Sequence, residues 1–327
     1  MRKKLLIFGG FLIAVLLAAA LLLFFVQRTV LLEGPLAVKT HVVIPKGASV
    51  KSIATILERE GVINHPTIFV LWARFTGLNQ KLKAGEYEFN PGIDQGAVME
   101  KLVSHVTVDH FITIPEGLTS AEIVTLLNEK DLLNGNIINI PLEGSLLPET
   151  YHFDRGDQRR KIIAKMAKTR DELLDKLWNA RAENLPFKSK EEALVLASIV
   201  EKETGVTDER AKVAGVFINR LRIGMRLQSD PTVAYAVMDG SGKMTRPLSR
   251  ADLKLNHPFN TYVIKGLPPA PIANPGRAAI EAVLQPEKTK ALYFVADGTG
   301  GHAFGNSLVE HNRNVAKWRK IQKQKKN

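Results

Sequence analysis

Residues 5–26 form 22 consecutive apolar residues without a charge. As a helix rising about 1.5 Å per residue, such a run spans about 33 Å, close to the roughly 30 Å of a bilayer's hydrocarbon core. Arg2, Lys3 and Lys4 precede it, and Gln27 and Arg28 follow it. Basic flanks stay in the cytoplasm, so residues 1–4 read as a cytoplasmic tip and everything after the span as facing outward. A cleaved signal peptide is the alternative. Its apolar stretch is usually about 7–15 residues, shorter than this one. Ala18-Ala19-Ala20 mimics a cleavage site, but apolar residues continue past it. No second run of this length follows, so the chain reads as single-pass.

An outward-facing chain has a narrowed set of partners. The net charge of +12 favours anionic surfaces or polymers, and the address points to wall and lipid and away from nucleic acid. The absence of cysteine excludes disulfides, thiolate metal sites and thiol nucleophiles. The eight histidines show no His-x-x-His or His-Glu-x-x-His spacing. There is no Gly-x-Ser-x-Gly elbow and no phosphate-cradling glycine loop. No metal and no cofactor is expected.

The 327 residues suffice for two folded units, and the pattern is α+β. Residues 27–40 read as a linker. A strand at 41–45 precedes a helix that Ser49 caps and Gly61 stops, and a second helix fits 66–75. Ala84–Phe89 alternates like a strand, closed by Asn90-Pro-Gly92. This strand–helix–helix–strand unit, residues 41–105, resembles a LysM module, a glycan-binding fold; a plain α+β spacer fits the same residues. From 106 to 327 a second, mixed α+β domain is expected. It has strand signal at 106–114, a capping box opening a helix at Thr119, and a long polar helix over 158–182. Asp297–Gly301 reads as a hairpin loop between strands, and Ser307 caps a last helix. That helix ends in six basic residues between Lys317 and Lys326, suited to anionic lipid or wall polymer or to solvent.

The segment opened by the capping box at Ser189 carries the chemistry. Its centre, Ala193-Leu-Val-Leu-Ala-Ser-Ile-Val200, is apolar on every face and predicts a helix buried all round, with Gly205 as its stop. Glu201, Lys202 and Glu203 then arrive at its end, and buried charge is costly unless paired or protonated. Glu203 continues the face of Leu196, Ile199 and Val200, lies at the negative end of the helix dipole, and has Glu201 nearby. All three raise its pKa, as a general acid for glycosidic cleavage requires. An exposed helix end is the plain alternative. Periodicity does not choose between the two glutamates. They lie about 200° apart and cannot share one cleft wall, so Glu201 is expected to pair with Arg210 or Arg220. Farther on, Asn219, Arg220, Gln228 and Asp230 are polar groups set among apolar ones. They suit sugar hydroxyls and acetamido groups, or equally helix caps and structural ion pairs. Ser229 or Asp230 caps a helix whose first position is Pro231.

Ser198-Ile-Val-Glu-Lys-Glu203-Thr, Val216-Phe-Ile-Asn-Arg-Leu221 and Met225-Arg-Leu-Gln-Ser-Asp-Pro-Thr232 resemble the YceG-like family. So do Leu146-Leu-Pro-Glu-Thr-Tyr151, Asn260-Thr-Tyr262, Gly266-Leu-Pro-Pro-Ala-Pro-Ile272-Ala-Asn-Pro-Gly276, Tyr293-Phe-Val-Ala-Asp297 and Gly301-His-Ala-Phe304. The order is consistent from anchor to tail. Ala270 stands where members often carry glycine, and Glu149 where some carry aspartate. The resemblance implies that Glu203 is catalytic. It also draws in Glu149, Asn260, Tyr262, Asn274 and His302 as candidate substrate contacts, with a structural role the alternative for His302.

The same resemblance implies a lyase of the bacterial cytoplasmic membrane with its catalytic domain outside. It would cut the β-1,4 bond between N-acetylmuramic acid and N-acetylglucosamine within nascent peptidoglycan strands, leaving 1,6-anhydro ends and ending polymerisation. Penicillin-binding synthases become candidate partners. Two other readings stay open. One is a lysozyme-like hydrolase using Glu203 with Asp230 or Glu149; the other is a wall-binding protein without enzymatic activity.

Overall fold

A computed structural model describes residues 2–239, 242, 244 and 246–326, the side chains of 2–8, 325 and 326 excepted. The basic flank Arg2–Lys4, the first apolar side chains of the span, and Lys325 and Lys326 therefore lie outside the described side chains. The fold is mixed α+β. The chain divides into two compact units, residues 1–110 with 152–155, and residues 111–151 with 156–327.

The first unit begins with helix α1 (Arg2–Val30). Within it Gly9–Val30 is apolar enough and, at 22 residues, long enough to cross a bilayer; its most apolar stretch buries nothing against the protein, and only its end, Thr29 and Val30, is buried. Strand β1 (Thr40–Ile44) pairs antiparallel with β2 (Gly85–Phe89), Val42 opposite Tyr87. Between them run α2 (Val50–Arg59) and α3 (Pro66–Phe75). Ser49 caps α2 by accepting the Ser52 N–H, and Gly61 takes a left-handed φ of 69° beyond its end. A further helix, α4 (Gln95–Ser104), follows β2, capped by Asp94. It was not anticipated, because its apolar positions Val98, Met99 and Leu102 make too short a stripe to stand out. Leu57, Phe69, Tyr87, Phe89 and Leu102 fill the core of this unit. Glu86 is its buried charge, bonded by His110 and Arg155 at 2.7 Å each.

The second unit is helical around a buried centre. The short strands β3 (His110–Thr113) and β4 (Thr150–Phe153) pair with each other; His110, His152 and Phe153 count with the first unit and their other residues with the second. Helix α5 (Ser120–Asn128) opens with the capping box Thr119–Glu122, and α6 (Arg159–Asn179) is the long polar helix. The central helix is α7 (Lys190–Glu203), whose residues from Ala193 to Val200 are all buried. Around it pack α6, α8 (Arg210–Arg222), α9 (Asp230–Met238) and α10 (Arg277–Leu284). The hairpin β5 (Tyr293–Ala296) and β6 (His302–Gly305) leads into α11 (Leu308–Lys326). Two local expectations change. Gly205 does not stop α7 with a left-handed turn; Thr204 ends it by swinging to extended backbone at φ −141°. Helix α10 escaped notice because it is only eight residues long.

Candidate active site

Helix α7 is anchored along its length before it delivers its acidic end. Ser198, fully buried, donates from its hydroxyl to the carbonyl of Val195 and accepts the N–H of Ile272 at 3.0 Å. The proline-rich segment 266–276 is thereby tied to the helix. One turn later the two glutamates part. Glu201 accepts the Gly276 N–H at 2.9 Å and the Arg210 guanidinium at 3.2 Å, with its side chain only 5% exposed. Burial raises its pKa, helped by Glu116, while the Gly276 N–H and Arg210 oppose. Glu201 is thus a tie between α7, α8 and the start of α10, and it pairs with Arg210 rather than Arg220.

Glu203 lies on the other face, at the wall of a cleft of about 490 Å³. Its Oε1 accepts the Ser229 hydroxyl at 2.5 Å. Ser229 sits at the N-cap of α9, yet makes no capping bond from its side chain; the hydroxyl serves Glu203 instead. The loop carrying it is pinned from behind. Thr261 Oγ1 accepts the Ser229 N–H at 2.9 Å and shares a 2.8 Å hydrogen bond with Thr232. Gln228 beside it holds a left-handed φ of 50°, which costs a non-glycine residue of order 1 kcal/mol and is stored at the cleft rim.

The electrostatics favour a protonated acid. Burial pushes the Glu203 carboxyl up to about 7 against the hydrogen bond from Ser229; Asp230 adds to the rise, and His302 and Arg220 oppose it. The carboxylate that raises it is therefore Asp230 and not Glu201, which faces away. Arg220 supplies buried positive charge to the same cleft. Its guanidinium donates to the carbonyls of Leu292 at 2.7 Å and Leu227 at 2.5 Å and lies 5.5 Å from the Tyr293 ring centre.

Of the sequence candidates, Glu203, Arg220, Gln228, Asp230 and Tyr262 line this one cleft. Tyr262 donates to Asp230 at 2.6 Å, fixing that carboxylate at the start of α9. The other candidates are placed elsewhere. Asn260 is fully buried, donates to the Leu255 carbonyl at 2.7 Å and accepts the Tyr262 N–H at 3.0 Å. Asn274, also fully buried, accepts the Leu146 N–H at 3.0 Å and donates to Ser120 at 3.0 Å. Asn219 spends its amide on the carbonyls of Thr289 and Ala291. These three asparagines shape backbone instead of facing the cleft. Glu149 lines a separate hollow with Thr113, Pro148 and Arg277. His302 stands behind the wall, clamped by Glu209 through its ring at 2.7 Å and its backbone N–H at 2.9 Å, with its ring edge-on to Phe294.

Sequence reasoning missed Tyr293, Phe294, Val295, Leu308 and His311, which close the far wall. His311 stacks on Tyr293 at 5.1 Å, and its buried Nδ1 has no hydrogen-bond partner among the described residues. Only the Tyr293-Phe motif hinted at this wall, and nothing local marks His311. Among the described residues no group of three or more His, Asp or Glu is placed to hold a metal ion.

The profile of the YceG-like family matches residues 42–317, most of the chain and the whole of this site. The chain belongs to the YceG-like family. A relative from Bacillus subtilis, named endolytic murein transglycosylase, is 35% identical over 308 residues, covering 84% of this chain and 83% of that protein. A Streptococcus pneumoniae protein of the same name is 30% identical over 322 residues; the match covers 84% of this chain but 57% of that longer protein. The crystal structure of a yceG-like protein from Listeria monocytogenes superposes with a TM-score of 0.54 at 33% identity, covering 84% of this chain and 98% of that one.

Proposed function

We propose that this YceG-like protein is an endolytic peptidoglycan lytic transglycosylase in which Glu203 is the single catalytic acid and base. The carrying observation is the Glu203 carboxyl: half-buried in a cleft, bonded by Ser229 and held to a pKa of about 7 in a family whose relatives bear that name. Near neutral pH it is present in both forms, as one residue serving both proton roles requires. Protonated, it gives its proton to the glycosidic oxygen as the bond from that oxygen to muramyl C1 breaks. As a carboxylate it then takes the proton of the muramyl 6-hydroxyl, whose oxygen bonds to C1. One proton moves from O6 to the leaving oxygen, no water is consumed, and a 1,6-anhydro end results. The Ser229 hydroxyl stabilises the carboxylate between the two steps. Arg220, Gln228, Tyr262 and the neutral His311 offer donors and acceptors for sugar hydroxyls and acetamido groups.

Asp230 keeps the hydrolytic reading specific, because a second carboxylate in the cleft is what a water-activating enzyme uses. Against it, Asp230 is occupied by the Tyr262 hydroxyl. Glu149 lies outside the cleft. Mass spectrometry of products from uncrosslinked strands separates the readings. Anhydro ends are expected, and reducing ends alone would replace the lyase with a hydrolase.

The wider setting follows from the same reading. Helix α1 serves as a single anchor in the bacterial cytoplasmic membrane, with the N-terminus inside and the catalytic domain outside. Residues 41–105 act as a LysM-like glycan-holding module, linked to the anchor by 27–40 and to the catalytic domain from 106. Cutting strands as they are made ends their polymerisation, which makes penicillin-binding synthases natural partners.

A further inference from the structure

A second pocket, also of about 490 Å³, adjoins the Glu203 cleft, and Asp230 lines both. We propose that this pocket, lined by Lys202, Ala234, Tyr235, Leu248 and Ile272 among others, binds the peptide stem that the muramyl ring carries. The inference rests on the glycan reading of the Glu203 cleft and extends it to a substrate feature that reading leaves unassigned.

The geometry of α7 supplies the first reason. Consecutive helical residues diverge by about 100°. Glu203 thus faces the cleft while Lys202, one position earlier, faces the neighbouring pocket. The chemistry of the substrate supplies the second. The stem hangs from C3 of the muramyl ring whose C1 reacts. A stem therefore leaves the ring beside the acid, and the adjoining pocket is where it arrives.

Charge complementarity supplies the third. Each carboxylate of the pocket is already engaged: Glu116 with Arg210, Glu122 in the capping box with Thr119, and Asp230 with Tyr262. The Lys202 ammonium donates to the Gly117 carbonyl at 3.1 Å, and among the described residues it is ion-paired with no carboxylate. An apolar floor flanked by one ammonium and by the carboxylates of Glu116, Glu122 and Asp230 suits a short peptide bearing both carboxylate and amino groups, with Lys202, among the described residues, the one lining cation for the carboxylate. A further sugar ring would call for several polar donors and acceptors instead.

The test uses the full chain in detergent micelles and two substrates. One is uncrosslinked strands with their stems; the other is the same strands after an amidase has removed them. The readout is the ratio of kcat/KM on stem-bearing to stem-free strands. Taken within one variant, the ratio cancels any loss of folded protein. Wild type is expected to give a ratio above one. Lys202→Gln should lower it about fivefold, the worth of one partly exposed charged contact, and Lys202→Arg should restore most of it. A wild-type ratio of one or less overturns the proposal. So does a Lys202→Gln ratio equal to wild type, and equal slowing on both strands would make the pocket a sugar subsite. If wild type cuts neither strand, the glycan reading itself fails and the proposal falls with it.

Discussion

Replacing Glu203 by glutamine should abolish strand cutting and, at alkaline pH, make the protein more stable. The side chains match in size, and the glutamine oxygen still accepts the Ser229 hydroxyl, so packing is retained. The difference is the charge. Folding holds the Glu203 carboxyl at about 7 where an unburied glutamate titrates at 4.5. Between those values the folded state binds a proton that the unfolded state releases. Stability therefore falls as pH rises from about 4.5 to about 7 and stays low above. At roughly 1.4 kcal/mol per pH unit, wild type loses about 2–3 kcal/mol from this group between pH 5 and pH 8. Glutamine has no such loss. Urea unfolding of the full chain in detergent at pH 5 and pH 8, read by tryptophan fluorescence, measures the gap. The two proteins should differ by less than about 1 kcal/mol at pH 5, and the variant should lead by roughly 2–3 kcal/mol at pH 8. An equal gap at both pH values would mean that Glu203 is not held protonated by the fold. Retained cutting by Glu203→Gln would remove it from catalysis altogether.

Ser229→Ala deletes the hydrogen bond that favours the carboxylate, so the alkaline limb of the pH–rate profile should move up by about one pH unit, visible in kcat/KM measured from pH 5 to pH 9. An unshifted limb would mean that Ser229 does not touch the titrating acid. Glu201→Gln breaks the buried tie to Arg210, and thermal unfolding should show a loss of about 2–4 kcal/mol, with the pH of the alkaline limb kept because the acid lies on the other face. Loss of that limb along with the stability would make Glu201 part of the titrating site.

The two glutamates show where reading residues in order ends. Local pattern announces α7: the capping serine, the all-apolar centre and the acidic end are features of neighbouring residues, and each follows from helix geometry alone. Which glutamate meets the cleft depends on what packs against each face, and those partners lie far along the chain. Gly276 and Arg210 claim Glu201, while Ser229 claims Glu203. Asn219, Asn260 and Asn274 make the same point from the other side. A polar residue among apolar ones looks alike whether it faces a substrate or satisfies a distant carbonyl, and here all three satisfy backbone.

By itself the sequence determined the apolar span, the chain's mixed α+β character, the capped helices, the hairpin around Asp297–Gly301 and, through its motifs, the family. Each is set by short-range periodicity, turn chemistry or linear pattern. Only the tertiary structure decided the site. It brought Ser229, Asp230, Tyr262, Tyr293 and His311 to one acid and made Asp230, not Glu201, the charge that raises its pKa. It also set Lys202 beside a second pocket. These are contacts between segments remote in sequence, chosen by packing, and burial acts on a titrating group only once such contacts exclude water.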